Sequence, residues 1–287
     1  MNHLLSPNKV IAGAKYESPE AAGIPDADCE VNVLIAPAQL VYLVANRHTK
    51  KVVLLQPYQF SRISSVHEWH KSVDEVFASD PWLHKEVAIK RTGVFSTSFT
   101  LVPADFDHEN ARRTILKANC TLDEESVVYA DIVAGGSIHL LYALSPEIVQ
   151  HFSGKAGQRL THALSGLINY LLSIHQAAES ENLYVYVQAS SFQLLLISNK
   201  SLHYCNSFNY YSPEDFLYHL LFTCKQLRLD PELVPLTIMG EMMRESAMYQ
   251  LLIKYIRNVQ FARSVDTMKF NKDYPLPPHF FFNLFFL

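Results

Sequence analysis

Residues 183–211 read LYVYVQASSFQLLLISNKSLHYCNSFNYY. This stretch divides into three strands and two turns. Leu183–Gln188 alternates, with Val185 and Val187 on one face and Tyr184 and Tyr186 on the other, the period-2 signature of a strand. Ala189-Ser190-Ser191 is short and polar and turns the chain. Phe192–Ile197 is an almost unbroken apolar run, as expected of a strand covered on both faces. Ser198-Asn199-Lys200 turns it again into Ser201–Phe208.

The same pattern occurs near the N-terminus. Residues 31–60, VNVLIAPAQLVYLVANRHTKKVVLLQPYQF, give strands at Val31–Ala36, Leu40–Ala45 and Lys51–Gln56, with Pro37-Ala38-Gln39 in the first turn. Each meander is followed by a helix and then another strand. Identity between the two is low, so the match is one of pattern.

Outward from these meanders, Ser65–Ser79 reads as an amphipathic helix through Val66, Trp69, Val73, Val76 and Phe77. Val87–Arg91 and Ser96–Val102 read as strands, and Asp107–Ala118 as a charged helix. Val127–Val133 and Ser137–Ala143 read as a hairpin across Gly135-Gly136. A short helix, Pro146–Phe152, starts at Ser145, and a long apolar helix is expected from Leu160 to about Glu179. After the second meander, Ser212-Pro213-Glu214-Asp215 combines an N-cap, proline at the first helical position and acids in the first turn. Pro235–Met239 reads as a strand ending at Gly240, Glu245–Ile256 as a helix and Val259–Arg263 as an edge strand. The expected organisation is an irregular lead-in over 1–29, one half over 30–155 and a second half over 156–287.

The 287 residues are nearly half hydrophobic and only 18% charged, with a formal charge of −4. Such a chain is globular, carries no basic footprint for nucleic acid and offers no cationic patch to an anionic membrane. No apolar run is long enough to span a bilayer, and the N-terminus lacks the pattern of a signal peptide. The four cysteines are scattered and read as reduced thiols of a cytoplasmic protein. Only nine glycines are present, which argues against a phosphate-binding loop.

The layout resembles the actin-like ATPase fold, an α/β architecture of two ribonuclease-H-like halves, each opening with a three-stranded meander. The features that carry the resemblance are SFQLLLISNKSLHYCNSFNY, the following EDFLYHLLFTCKQLRLDPE, the strand-plus-glycine LTIMGEM, and FTLVP at Phe99–Pro103. On these the chain is similar to a bacterial family of unknown function with that fold, and more distantly to the PilM and GspL proteins of pilus and secretion machines. The resemblance implies a ligand cleft between the halves. Its candidate residues are Gln39, Gln188, Ser190, Ser191 and Gly240.

The chemistry of that fold does not follow. In actin-like ATPases each meander turn carries an Asp-x-Gly type sequence, whose backbone amides approach phosphate and whose Asp orients metal and water. Here the turns are Ala36-Pro37-Ala38-Gln39 and Gln188-Ala189-Ser190-Ser191, with neither Asp nor Gly. Proline also removes a backbone donor. The adenosine-side motif normally has paired glycines, whereas Gly240 stands alone. The reading is a pseudo-ATPase without cofactor or catalytic residues. It is a cytoplasmic scaffold for an unidentified protein partner, a homodimer being one option. The alternative is a nucleotide or small-ligand binding protein and weak ATPase. Ser190 and Ser191 are expected to cap their own turn.

Other constellations favour bland readings. His67 and His70 form an i, i+3 pair without a recognisable third ligand, the pattern of a solvated helix face. Asp105, Asp107 and Glu109 fit a helix N-terminus, where acids meet the dipole. Phe208, Tyr210, Tyr211, Tyr58 and Phe60 read as core aromatics. The tail, HFFFNLFFL over His279–Leu287, is expected to dock onto this chain's own core, covering a sheet edge, with a partner or membrane face as the other option.

Overall fold

The computed structural model describes residues 9–61, 63, 65–85, 87, 89–152, 159–175, 181–263 and 277–287. Two short strands, β1 (Lys9–Ala12) and β2 (Tyr16–Glu17), precede the first meander of β3 (Cys29–Ala36), β4 (Gln39–Asn46) and β5 (Val52–Ser61). Helices α1 (Val66–Ser79) and α2 (Pro81–His84) lead into β6 (Ile89–Val94). An insertion follows: β7 (Phe99–Pro103), α3 (Glu109–Asn119), β8 (Val127–Val133), β9 (Ile138–Leu144) and α4 (Pro146–Phe152). β10 (Arg159–His162) and α5 (Ala163–Ile174) close the first half. The second half runs β11 (Asn182–Val187), β12 (Ser191–Ser198), β13 (Ser201–Asn209), α6 (Pro213–Leu227), β14 (Leu236–Gly240), α7 (Ala247–Leu252) and β15 (Val259–Phe261). A 3₁₀ segment, Pro278–Phe286, ends the chain.

The two large sheets have one topology. The first orders its strands β5-β4-β3-β6-β10 and the second β13-β12-β11-β14-β15. In each, the meander is antiparallel and the fourth and fifth strands run parallel to the first. This is the ribonuclease-H-like order twice over, so the α/β fold expected from the paired meanders is the fold observed. The insertion builds its own three-stranded sheet, β7-β9-β8. α3 covers that sheet through a small core of Val102, Leu116, Leu141 and Ala143.

Residue pattern explains the layering. β12 is buried along its whole length, as its unbroken apolar run requires. The alternation in β11 sorts its side chains between two cores. Leu183, Val185 and Val187 join Phe216, Leu220 and Cys224 of α6. Tyr184 and Tyr186 face the first half, where Tyr186 stacks on Phe95 with centroids 5.3 Å apart. α6 begins as its sequence dictates: the Ser212 hydroxyl accepts a hydrogen bond from the Asp215 amide at 3.1 Å, and Pro213 follows.

Three expectations need correction. Residues 1–29 are not wholly irregular, because β1 and β2 pair with β5 and extend the first sheet. The helix expected from Leu160 starts at Ala163, because Arg159–His162 pairs with β6 as a parallel strand. The expected boundary at 155/156 lies outside the described residues, and β10 beyond it still belongs to the first sheet. Residues 176–180, the expected end of that helix, also lie outside them. The helix expected over Glu245–Ile256 is shorter, Ala247–Leu252, because Ser246 caps it through the Tyr249 amide.

His162 joins the insertion to the first half. Its Nδ1 accepts the Leu164 amide at 3.2 Å and caps α5. Its Nε2 lies 3.0 Å from the Ser96 carbonyl oxygen and 3.3 Å from the Ser96 amide nitrogen. Asp131 of β8 accepts the His162 amide and the Ser165 hydroxyl, each at 2.7 Å. Complete burial of the imidazole lowers its pKa to about 4.

The apolar tail docks on the chain itself. It wedges between the halves against β3, β14 and α5, not along a sheet edge. Phe281, Phe282 and Leu284 are buried. Phe286 stacks on Tyr170 of α5 at 3.9 Å, and Asn32 of β3 donates to the Leu284 carbonyl at 2.8 Å. Leu287 packs over Gly93 and the Phe286 carbonyl over Gly166, each at a position where a Cβ would collide.

Candidate functional site

Both meander turns line a single cavity of about 210 Å³ between the halves. One wall carries Pro37, Ala38 and Gln39, and the other Gln188, Ser190 and Ser191. Glu241, the residue after β14, closes the floor and accepts a hydrogen bond from the Gln39 side-chain amide. The two halves are therefore joined across the position where the resemblance implies a ligand. Burial pushes the Glu241 carboxyl up to about 7, and the Gln39 hydrogen bond offsets part of that rise. Burial, with the Glu241 charge added, pushes the nearby Tyr210 hydroxyl to about 12.

The polar groups of the second turn are mostly engaged internally. The Gln188 amide donates to the Ser191 carbonyl at 2.8 Å, and the Tyr210 amide to the Ser190 carbonyl at 3.1 Å. The Tyr210 hydroxyl donates to the Gln188 carbonyl at 2.6 Å. The Gln188 side chain is turned toward Gln193 at 2.9 Å.

Of the five candidate residues, Gln39, Gln188, Ser190 and Ser191 line the cavity. Gly240 does not. It has φ +83°, and a Cβ there would lie 2.0 Å from the Val187 carbonyl oxygen. It therefore serves the close approach of β14 to β11. The missed residue is Glu241, and its signal was its place directly after the strand-ending glycine.

A second cavity of about 490 Å³ lies between α1, β6 and the insertion. Its lining mixes Trp69, Phe95 and Ile148 with the hydroxyls of Ser96, Ser98 and Ser145. In the acidic row, Glu109 sits in the first turn of α3 as the helix-start reading expects, and Asp107 has a further role. Asp107 is buried and takes both Arg112 Nε at 2.6 Å and the partner nitrogen at 2.8 Å, with His139 at 2.6 Å. The Arg112 hydrogen bond, ahead of opposing burial, holds its carboxyl below the usual range. Among the strand-end aromatics, Phe208 stacks on Phe192 and Tyr58 donates to Asp80 at 2.6 Å, while Tyr211 is 94% exposed. His67 is exposed, but His70 turns inward to the Glu147 carbonyl.

The strand order and the cleft between the halves define an actin-like ATPase fold. A Bacteroides thetaiotaomicron protein with that fold and unknown function superposes with a TM-score of 0.71 at 17% identity, covering 83% of this chain and 91% of its own. PilM, from the PilM–PilN type IV pilus biogenesis complex, gives 0.59 at 11% identity, covering 91% of this chain and 98% of its own. The chain belongs to the DUF3822 family, described as proteins of unknown function, with residues 24–259 matched. No curated protein matches the sequence. Among the described residues, no helix is long and apolar enough to cross a membrane.

Proposed function

We propose that this protein is a non-catalytic, cytoplasmic interaction scaffold built on the actin-like fold. The observation that carries the reading is the cleft itself. Its two turns hold Pro37, Ala38, Ala189 and Ser190 where phosphate chemistry needs glycine amides and an aspartate. Its volume of about 210 Å³ is below the roughly 300–1,000 Å³ usual for pockets that hold a drug-sized ligand. The Gln39–Glu241 hydrogen bond ties its walls together.

A protein partner fits the outer surface better. Tyr218 and Phe222 are large and exposed on α6, and Tyr211 is exposed just before its N-cap, with the Tyr218 and Phe222 rings stacked at 5.8 Å. PilM, of the same fold, is known in a complex with PilN, which illustrates a partner on such a scaffold.

The test is a thermal-shift titration with ATP and ADP, with and without magnesium, alongside a phosphate-release assay. The expected result is no shift and no hydrolysis up to millimolar nucleotide. A ligand at a hundred times its Kd would add about 2.7 kcal/mol, so binding would be plain. Magnesium-dependent hydrolysis abolished by Glu241→Ala would refute the scaffold. One observation favours a second reading, a small ligand in the cleft: a carboxyl held near 7 faces a cavity lined by Gln39, Gln59 and Gln188. A nucleotide-free shift produced by small metabolites at the cleft would move the reading there.

A further inference from the structure

His70 and Asp74 lie one turn apart on α1, and His151 lies on α4, at the far end of the insertion. The fold brings the three together. His70 Nδ1 is 3.0 Å from one Asp74 carboxylate oxygen, and His151 Nδ1 is 2.6 Å from the other. All three ligand atoms lie within 4.8 Å of one another. We propose that His70, Asp74 and His151 bind a divalent first-row transition metal ion, zinc being the best match, which ties the insertion to α1.

Hydrogen-bond accounting is the first argument. His70 Nε2 is 2.9 Å from the Glu147 carbonyl oxygen, which can only accept. That contact makes Nε2 the donor and leaves Nδ1 as a lone pair in the neutral ring. The lone pair would then face a carboxylate oxygen, an unfavourable pairing unless a cation lies between them. A proton on Nδ1 or on the Asp74 carboxyl would satisfy both contacts without a metal. The Glu147 contact is also the outer support that metal-bound imidazoles almost always have, a backbone carbonyl holding the non-ligating N–H.

Geometry is the second argument. Bonds of about 2.0–2.1 Å in a tetrahedral site place ligand atoms about 3.3 Å apart. The observed spacings of 3.0 and 2.6 Å reach that by small rotamer adjustments. Two imidazoles and one carboxylate suit zinc, nickel, cobalt or copper and do not suit magnesium or calcium. The imidazoles are mostly covered, with side chains 18% and 12% exposed, while Asp74 is 47% exposed. Water can take a fourth position from that side. Phe77 and Phe152 wall the His151 ring at 4.6 and 4.7 Å and set its direction.

The test uses the purified chain freed of metal with a chelator, titrated with Zn²⁺ by calorimetry and with Co²⁺ by visible absorption. The expected result is one ion per chain and the intense visible bands of tetrahedral cobalt. His151→Gln and Asp74→Asn should each weaken binding at least tenfold. His67→Ala, an exposed histidine on the same helix, should leave it unchanged. Because His70→Ala also removes the Glu147 contact, His151→Gln carries the test, with circular dichroism checking that it folds. Equal binding by wild type and His151→Gln, or only weak octahedral cobalt, would overturn the proposal. So would a midpoint that moves with pH but not with zinc, because that is the behaviour of a protonated histidine on a carboxylate.

Discussion

Gly166→Ala provides a test of sign. Gly166 sits in the second turn of α5, and in an exposed helix the change to alanine stabilises by about 1 kcal/mol. Here a Cβ would lie 1.6 Å from the Phe286 carbonyl oxygen and 2.6 Å from its carbon. Both are backbone atoms, so no rotamer relieves the overlap and the tail must move. Phe286 would then leave its stack on Tyr170, and the neighbouring Asn32–Leu284 hydrogen bond would stretch. Local overpacking costs about 1–3 kcal/mol. Full release would also expose Phe281, Phe282 and Leu284 at about 1.5–3 kcal/mol each, a large part of a total stability of about 5–15 kcal/mol. The expected net effect is destabilisation by up to about 2 kcal/mol with local adjustment, and several times that with release. Urea denaturation measures it, and hydrogen exchange across residues 278–287 tells adjustment from release. Gly23→Ala, where a Cβ meets nothing within 4 Å, is the control and should change little. A Gly166→Ala chain more stable than wild type would refute the packing of the tail on α5.

Leu284→Ala should cost about 2–5 kcal/mol, the range for a buried leucine, read as a lowered urea midpoint. Stability should fall as pH drops from about 6.5 toward 4. His162 is held neutral in the fold, so the unfolded chain binds the extra proton there. The full effect is about 3 kcal/mol, and His162→Gln should flatten that part of the pH–stability curve. Glu241 has the opposite sign: its raised pKa favours the protonated folded form, so its contribution is lost as pH rises toward and past 7. Glu241→Gln should therefore be relatively more stable at pH 8 than at pH 4, measured as thermal midpoints against wild type.

The fold was legible where burial imposed a period. Tyr184/Tyr186 against Val185/Val187 announced a strand with two different faces, and the structure gives those faces two different cores. Ser212-Pro213 announced a helix start because capping is local. β10 was not legible, because Leu160 and the apolar residues of α5 form one continuous run and only pairing with β6 separates strand from helix. β1 and β2 were hidden for a related reason. They are short, lie at a sheet edge, and draw their order from the backbone of β5. The cleft was half legible. Residues 39, 188, 190 and 191 follow from the meander pattern, whereas Glu241 gains its character from burial. His151 lies 77 residues from its carboxylate partner on α1, so no spacing rule reaches it.

Three contacts limit how far the two halves can separate. The tail fills the space between β3, β14 and α5, Tyr186 stacks on Phe95, and Glu241 takes the Gln39 amide. The first two are apolar, and opening the halves would expose them together. A device that closes on a ligand needs two states of similar energy. The apolar wedge makes opening costly, in keeping with the proposed scaffold. A scaffold has no such need of two states. It gains from a fixed surface, since a preorganised face loses less entropy on docking. The exposed Tyr218 and Phe222 stand on α6, whose opposite side is buried in the second core, and Tyr211 lies just before its N-cap. The positions of Tyr218 and Phe222 are thus set by the packing of α6 on the second sheet. Tyr218→Ser with Phe222→Ser should leave the urea midpoint nearly unchanged, because both side chains already face water. The same pair of changes should abolish capture of a protein partner that wild type retains. Loss of stability without loss of capture would place the docking surface elsewhere.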